Sequence, residues 1–437
     1  MTAPQLPGGR AASGRAVFVN LAWLLSGRGV AAVLSLVYLG IVTRMLGPAG
    51  FGTFALILGV AQTIAAFVSF QVWQVVVRYG MGHLREGRHA ALARLLKACF
   101  ALDYGAAAFG CLIAAIGMPF AADAFGWAPE LHWQALGVAC GILLSARSAL
   151  LGLFRLHDRF AQATAIDLVV PVVRLVGTGV AALVAPTLTV FLYVWVASEL
   201  LASVTYWVKA RPLLHGLGWR DAPLRSGLLR EENPGFWRMA LVTNASQTFA
   251  LASRQGAVLL VGLVAGTLAA GRFRVAHQLG QALAKVGQML SRALFPELVR
   301  AHATIEPHAF RRLVLRTAGA SALAGVVIVL LLLVIGRPAL ALIAGPGFAA
   351  AYPLLVILGA AAVVDLVAVA FEPALYAVGR ENVALTIQAS VAVTMVCLML
   401  LLLHLYGTIG GAVAMLCGSL LNVCVMGLAV SRTLRRH

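Results

Sequence analysis

The feature that most constrains this chain is its series of long apolar segments. A helix needs about 20 consecutive apolar residues to cross the hydrocarbon core of a bilayer, whereas transmembrane strands are shorter and alternate in polarity. The sequence therefore predicts an all-α integral membrane protein with about twelve transmembrane helices. The predicted spans are 18–43, 51–77, 95–117, 131–154, 160–184, 187–209, 236–264, 268–295, 313–336, 351–378, 382–405 and 408–431.

A polar segment at 210–235 divides these spans into two equal sets, with six before it and six after it. We therefore expect an internally paired organisation with a central linker. The predicted parts are a cytoplasmic leader (1–16), an N-terminal bundle of six helices (17–209), the cytoplasmic linker (210–235), a C-terminal bundle of six helices (236–431) and a cytoplasmic tail (432–437).

A glycine-rich corner between the first two spans has a weaker counterpart in the second half. The sequence GIVTRMLGPAGFGTFALILGVAQ at 40–62 resembles TLAAGRFRVAHQLGQAL at 267–283 when Ala49 is aligned with Ala270. Duplication of a six-span unit accounts for the match, and chance similarity in a chain rich in Ala, Gly and Leu is the alternative. Glycine permits tight turns and close helix contact, so we assign a structural corner to Gly47, Pro48, Gly50 and Gly52.

The basic residues of the loops fall almost entirely on one side of the predicted membrane. When successive loops are assigned to alternating sides, the other side holds only Arg44, Arg272, Arg274 and Arg337. Loops rich in Arg and Lys remain in the cytoplasm, so both termini are predicted to be cytoplasmic in an inner membrane. The net charge of +18 is thereby explained without nucleic acid, since no basic stretch alternates with aromatic residues on a soluble face.

Two basic loops are predicted to form helices in the membrane interface. Leucines alternate with arginines along 83–97, and 297–312 has a similar pattern. Basic amphipathic helices lie on anionic lipid headgroups, which makes these lipids an expected partner. A solvated loop helix is the alternative for either segment.

Charged residues inside the apolar spans are the main functional signal. Each charge at the centre of a bilayer costs about 2.5–3.5 kcal/mol, so most of them must face a polar interior or pair with one another. The cations together predict a cationic cavity. The residues concerned are Arg28, Arg147, Arg174, Arg254 and Lys285, with Asp103, Asp167, Glu199, Asp365 and Glu372. Structural pairing is the alternative, with Asp167–Arg174 on one helix face, Asp103–Arg28 between helices, or Glu372–Arg147 as an intracellular gate.

Motifs of several catalytic classes are missing from the sequence. It contains no phosphate-binding Gly-x-x-x-x-Gly-Lys-Ser/Thr loop and no His-Glu-x-x-His zinc motif. The six cysteines lie in apolar spans and form no Cys-x-x-Cys pair, so they predict buried apolar side chains. The predicted outer loops are short, the longest being 117–130. We therefore expect no cofactor, no metal and no enzymatic activity.

Several segments resemble the polysaccharide-export flippases, the Wzx-type branch of the multidrug/oligosaccharidyl-lipid/polysaccharide exporter superfamily. The corner RMLGPAGFGTF at 44–54, after a first helix that contains Arg28, carries the most specific similarity. AGRFRVA at 270–276, LFPEL at 294–298 and GPGFAAAY at 345–352 are similar to its second half. The resemblance implies two six-helix bundles around a central cavity and alternating-access export of an undecaprenyl-pyrophosphate-linked sugar unit. The related lipid II flippases usually carry fourteen spans.

The cavity predicted from the charges is suited to such a substrate. Arginine binds phosphate oxygens in a bidentate manner, and amide side chains can bind sugar hydroxyls. The expected substrate-binding residues are Arg28, Arg174, Arg254, Lys285, Gln247 and Asn244. Residues expected in ion coupling or gating are Asp103, Asp167, Asp365, Glu372 and Arg147.

Other functions remain open at this stage. A drug or cation antiporter of the same superfamily, a membrane polysaccharide polymerase or ligase, and a scaffold of an assembly complex are the alternatives. The exported product would enter lipopolysaccharide, capsule or exopolysaccharide. Polymerase and chain-length proteins of such a system are the further expected partners.

Overall fold

The computed structural model describes residues 14–219, 226–302, 307–368, 371 and 381–434. These residues are almost entirely helical and include no strand. The elements are α1 (Gly14–Val68), α2 (Trp73–Arg85), α3 (His89–Phe125), α4 (Pro129–Leu144), α5 (Ser148–Leu156), α6 (Phe160–Asp167), α7 (Val169–Val184), α8 (Leu188–Gly216), α9 (Ser226–Glu232), α10 (Phe236–His302), α11 (Pro307–Ala344), a 3-10 helix (Pro346–Ala351), α12 (Tyr352–Ala368) and α13 (Glu381–Leu434).

Three of the long helices are divided by a glycine in a left-handed conformation. The φ angles are 64° at Gly47 in α1, 83° at Gly266 in α10 and 60° at Gly407 in α13. A residue with a Cβ atom adopts such angles only at a cost. Nine helices of the described chain are long and apolar enough to cross a membrane, and the three glycines divide three of them. The result is the set of twelve crossing segments that the sequence predicts.

Three spans predicted as continuous helices are interrupted in the structure. The second span breaks at 69–72, between α1 and α2, and the fourth breaks at 145–147, between α4 and α5. The fifth is interrupted at Leu168, between α6 and α7, although the backbone of this residue stays in the helical region. Side chains replace part of the lost backbone bonding, because the Ser148 hydroxyl accepts a hydrogen bond of 3.1 Å from the Trp73 amide. Such breaks persist within a membrane only where protein groups satisfy the freed donors.

The hydrophobic core has two main parts at opposite ends of the helices. The first surrounds the corners at Gly47 and Gly266 and contains residues of both halves. We call this the corner end. The second is built from residues between 72 and 240 and adjoins the linker, so we call it the linker end. The prediction of an interfacial helix at 83–97 is wrong, because the segment comprises the end of α2, a turn and the start of α3. Leu92, Leu95 and Leu96 of α3 are fully buried in this second core.

The other predicted interfacial segment, 297–312, lies partly outside the described residues, and its side chains lie outside them entirely.

At the linker end, α9 is held against the first half. The guanidinium group of Arg94 pairs with the Glu232 carboxylate, and the His83 ring lies 3.0 Å from the Asn233 side-chain oxygen. These contacts attach the start of the second half to α2 and α3.

The two halves are related by a repeat at the corner end. A Cβ atom on Gly52 would lie 1.8 Å from the Thr267 carbonyl oxygen, and one on Gly271 would lie 2.2 Å from the Pro48 carbonyl oxygen. The contact is reciprocal if Gly52 corresponds to Gly271 and Pro48 to Thr267. That register also pairs the left-handed Gly47 and Gly266. The sequence alignment of Ala49 with Ala270 is therefore wrong by two residues, although the duplication that it indicates agrees with the geometry.

Candidate functional site

An ion-pair network of two arginines and one glutamate lies within the membrane-spanning helices of the first half. One carboxylate oxygen of Glu199 accepts a hydrogen bond of 2.8 Å from Arg147, and the other accepts one of 2.5 Å from Arg174. The side chains of Arg174 and Glu199 are only 11% and 19% exposed. We call these three residues the arginine–glutamate cluster.

Each member of the cluster is placed by a different element. Arg174 lies on α7 and Glu199 on α8. Arg147 lies in the break between α4 and α5, with φ −143° and ψ 12°, so the interruption of the fourth span presents its side chain to α8. Arg174 and Glu199 lie about ten residues from the corner-end termini of α7 and α8. This distance is about 15 Å along a helix, which is near the middle of a bilayer core of about 30 Å.

Arg174 is held by more than its ion pair. Its Nε atom donates to the Ser198 hydroxyl at 2.9 Å. Its guanidinium carbon lies 3.3 Å from the centre of the Trp195 ring and 5.9 Å from that of Tyr38. Residues 195, 198 and 199 share one face of α8, as their spacing requires. Hydrogen bonding and stacking on an aromatic face thus fix the plane of the guanidinium group.

A second polar group lies nearer the linker end. The Tyr206 hydroxyl lies 2.9 Å from an Asp167 carboxylate oxygen, and this carboxylate is within electrostatic range of Arg147. Asp103 is buried and accepts a hydrogen bond of 3.0 Å from the Ala149 amide, at the start of α5. Asp103 therefore stabilises the helix that follows the break, and its predicted role in ion coupling stays a prediction.

The structure corrects one of the three pairings weighed from the sequence and leaves the other two untested. Asp167 does not pair with Arg174, because α8 supplies Glu199 to Arg174 and the Asp167 carboxylate accepts a hydrogen bond from the Tyr206 hydroxyl. Arg147 also pairs with Glu199. Its predicted partner Glu372 lies outside the described residues, as does the side chain of Arg28, so neither the Glu372 gate nor the Asp103–Arg28 pair is tested.

The predicted residues of the second half are described only in part. The side chains of Arg254, Lys285 and Gln247 lie outside the described residues. Asn244 on α10 and Asp365 on α12 are partly buried, and both take part in polar interactions. A common cavity for the arginines of the two halves therefore stays a prediction.

Sequence reasoning missed three contributors to this region. Glu199 was recognised as a charge within a span but not as the partner of two arginines. Trp195 was not recognised, although its position four residues before Glu199 places it on the same face of α8. Arg274 was assigned to an outer loop, whereas it lies in α10 within electrostatic range of Tyr38. The predicted span 268–295 already contains Arg274, so the apolar pattern gives its position better than the alternation of loops does.

Comparisons with known proteins agree with the architecture. The family model described as "Polysaccharide biosynthesis protein" matches residues 17–302. The "Inner membrane protein YghQ" of Escherichia coli (strain K12) is 27% identical over 346 residues, which are 78% of this chain and 96% of that protein.

Two solved structures show the same fold. An inward-facing multidrug resistance MATE family transporter of the MOP superfamily aligns with a TM-score of 0.63 and 13% identity, over 93% of this chain and 95% of that one. The lipid II flippase MurJ, in an inward closed conformation, aligns with a TM-score of 0.62 and 8% identity, over 93% of this chain and 87% of that one. At these identities the similarity shows the fold alone.

Proposed function

Because the chain belongs to the polysaccharide biosynthesis protein family, we propose that it is a flippase for an undecaprenyl-pyrophosphate-linked oligosaccharide in the cytoplasmic membrane. The observation that carries the proposal is the arginine–glutamate cluster. Two guanidinium groups close to the middle of the membrane-spanning helices cost free energy, unless each is compensated by a carboxylate partner or by a polar substrate pathway. Here both share the single carboxylate of Glu199.

The chemistry of the cluster suits the pyrophosphate, which is the most highly charged part of the proposed substrate. A pyrophosphate loses its hydration on entering hydrocarbon, and arginine replaces that hydration with two parallel hydrogen bonds. Arg174 and Arg147 approach Glu199 from different elements, so together they can bind oxygens of two adjacent phosphate groups. The polyprenyl chain remains in the lipid during the movement.

The packing of the halves supports alternating access. Residues 40–59 of α1 contact 259–271 of α10 and the segment around Gly345 at the corner end. These contacts include backbone atoms with no intervening side chain, so they can close one side of the protein. The positive-inside rule places the linker end in the cytoplasm, and the substrate would enter from that end.

Further parts of the proposal rest on sequence alone. Arg28, Arg254 and Lys285 would extend the anionic binding region into the second half, with Gln247 and Asn244 as partners for sugar hydroxyls. Anionic lipids, and the polymerase and chain-length proteins of a surface polysaccharide system, remain proposed partners. The product would be O-antigen, capsule or exopolysaccharide.

A cell-based experiment tests the proposed function. Cells that lack this protein should accumulate the lipid-linked saccharide in the cytoplasmic leaflet and lose the surface polysaccharide, and the wild-type gene should restore both. The Arg174→Ala protein should be present in the membrane and restore neither. The matched control is Arg94→Ala, which removes an arginine from an ion pair at the linker end. Normal surface polysaccharide in cells without the protein would refute the proposal.

A further inference from the structure

Glu199 occupies the position that an anionic substrate needs. We infer that Glu199 is a built-in competitor, which holds Arg147 and Arg174 while the site is empty and must leave them when the pyrophosphate binds. The inference deepens the proposed function and rests on it, because it concerns the regulation of the same site.

The geometry of the ion pairs is that of an occupied anion site. Each carboxylate oxygen of Glu199 contacts a different arginine, at 2.8 Å for Arg147 and 2.5 Å for Arg174. A pyrophosphate offers oxygens on two phosphorus atoms and can replace the two carboxylate oxygens one for one. The two guanidinium groups are therefore already arranged as two anion-binding groups, which the Glu199 carboxylate bridges.

The surroundings keep Arg174 in position when the carboxylate departs. Its Nε bond to Ser198 and its stacking on Trp195 do not involve Glu199. Departure of the Glu199 carboxylate therefore leaves the Arg174 guanidinium group pre-organised for the ligand.

The hydrogen bonds also favour exchange over simple addition. Glu199 already accepts hydrogen bonds from the guanidinium groups of both arginines, and the Asp167 carboxylate is engaged by Tyr206. An anion that displaces Glu199 takes over two charge-assisted hydrogen bonds. Return of the carboxylate after translocation would then assist release.

The test is a comparison of pyrophosphate binding by purified full-length protein in detergent. Inorganic pyrophosphate is titrated by calorimetry into the wild type, Glu199→Gln and Glu232→Gln. The last variant is the matched control, because Glu232 also pairs with an arginine, Arg94, but at the linker end. Removal of the competitor should tighten binding in Glu199→Gln on the order of tenfold, as loss of one charge-assisted contact predicts, and Glu232→Gln should match the wild type.

The outcomes separate this inference from the proposed function. Equal affinity in Glu199→Gln and the wild type would overturn the competitor role but leave the flippase proposal standing. Weaker binding would show that Glu199 positions the arginines, which also overturns it. Absence of binding in every protein would overturn both. If Glu199→Gln does not fold, Glu199→Asp, which is too short to bridge both arginines well, should bind with an affinity above that of the wild type, and an affinity at or below it would contradict the inference.

Discussion

Gly52 and Gly271 face each other across the two halves of the molecule, and neither position has room for a side chain. The Cβ of an alanine at 52 would lie 1.8 Å from the carbonyl oxygen of Thr267, and that of an alanine at 271 would lie 2.2 Å from the carbonyl oxygen of Pro48. Because the obstacles are backbone atoms, no change of rotamer can relieve them. The corner end closes only because both residues are glycine.

Substitution of Gly52 by alanine should separate the halves at the corner end. Overpacking of this kind costs about 1–3 kcal/mol, and all of the cost falls on the state in which the corner is closed. We expect export to fall by about tenfold or more, with normal amounts of protein in the membrane. Gly105→Ala is the matched control, since its Cβ would meet no atom within 4 Å. Equal export by the two variants would mean that the corner is a simple connection.

Arg174 should respond differently to lysine and alanine. Lysine keeps the charge but cannot form the two parallel bonds of a guanidinium group, so Arg174→Lys should retain partial export. Arg174→Ala should abolish export without loss of the protein, because Glu199 still pairs with Arg147. Export is measured as surface polysaccharide and compared with membrane abundance. Disappearance of the alanine variant from the membrane would indicate a purely structural arginine.

Removal of the central carboxylate should destabilise the protein. Glu199→Gln leaves two partly buried guanidinium groups without their partner, at a cost of about 1–3 kcal/mol. Further substitution of Arg174 by Gln should recover part of the thermal stability. The double variant Glu199→Gln/Asp167→Asn should show no recovery of thermal stability, because the Asp167 carboxylate accepts its hydrogen bond from Tyr206. Thermal unfolding of purified protein provides the measurement.

The orientation can be measured by thiol labelling of intact cells. In a protein whose native cysteines are replaced, a cysteine at Asp123 near the corner-end terminus of α3 should react with an impermeant reagent. One at Ser226, the first residue of α9, should react only after the cells are lysed. The positive-inside rule gives this expectation. Reversed labelling would place the linker outside the cell and invert the proposed direction of entry.

The parts of the structure that were predictable from sequence depend on local signals. Apolar length predicts the twelve spans, and the glycine-rich segment that contains Gly47 marks the first corner. The break at 145–147 was not predicted, because its backbone is stabilised by residues distant in sequence, such as Asp103.

The same limit explains the errors in the site. The span of Arg174 indicates its depth, but spacing along the sequence suggests a partner seven residues away on the same helix. The proximity of α8 decides the pairing with Glu199, and this proximity arises from tertiary packing. The leucines at 92, 95 and 96 were assigned to a lipid interface for the same reason, since the core that buries them is formed by other helices.

Flippase activity can be measured directly as translocation by the purified protein in vesicles. Polyprenyl-pyrophosphate-linked saccharide is placed in both leaflets, and the fraction accessible to an external glycosidase is followed with time. If the protein is a flippase, the wild type should make the inner-leaflet pool accessible within the assay, whereas the Arg174→Ala protein should behave like protein-free vesicles. Accessibility with the wild type no faster than in protein-free vesicles would refute flippase activity.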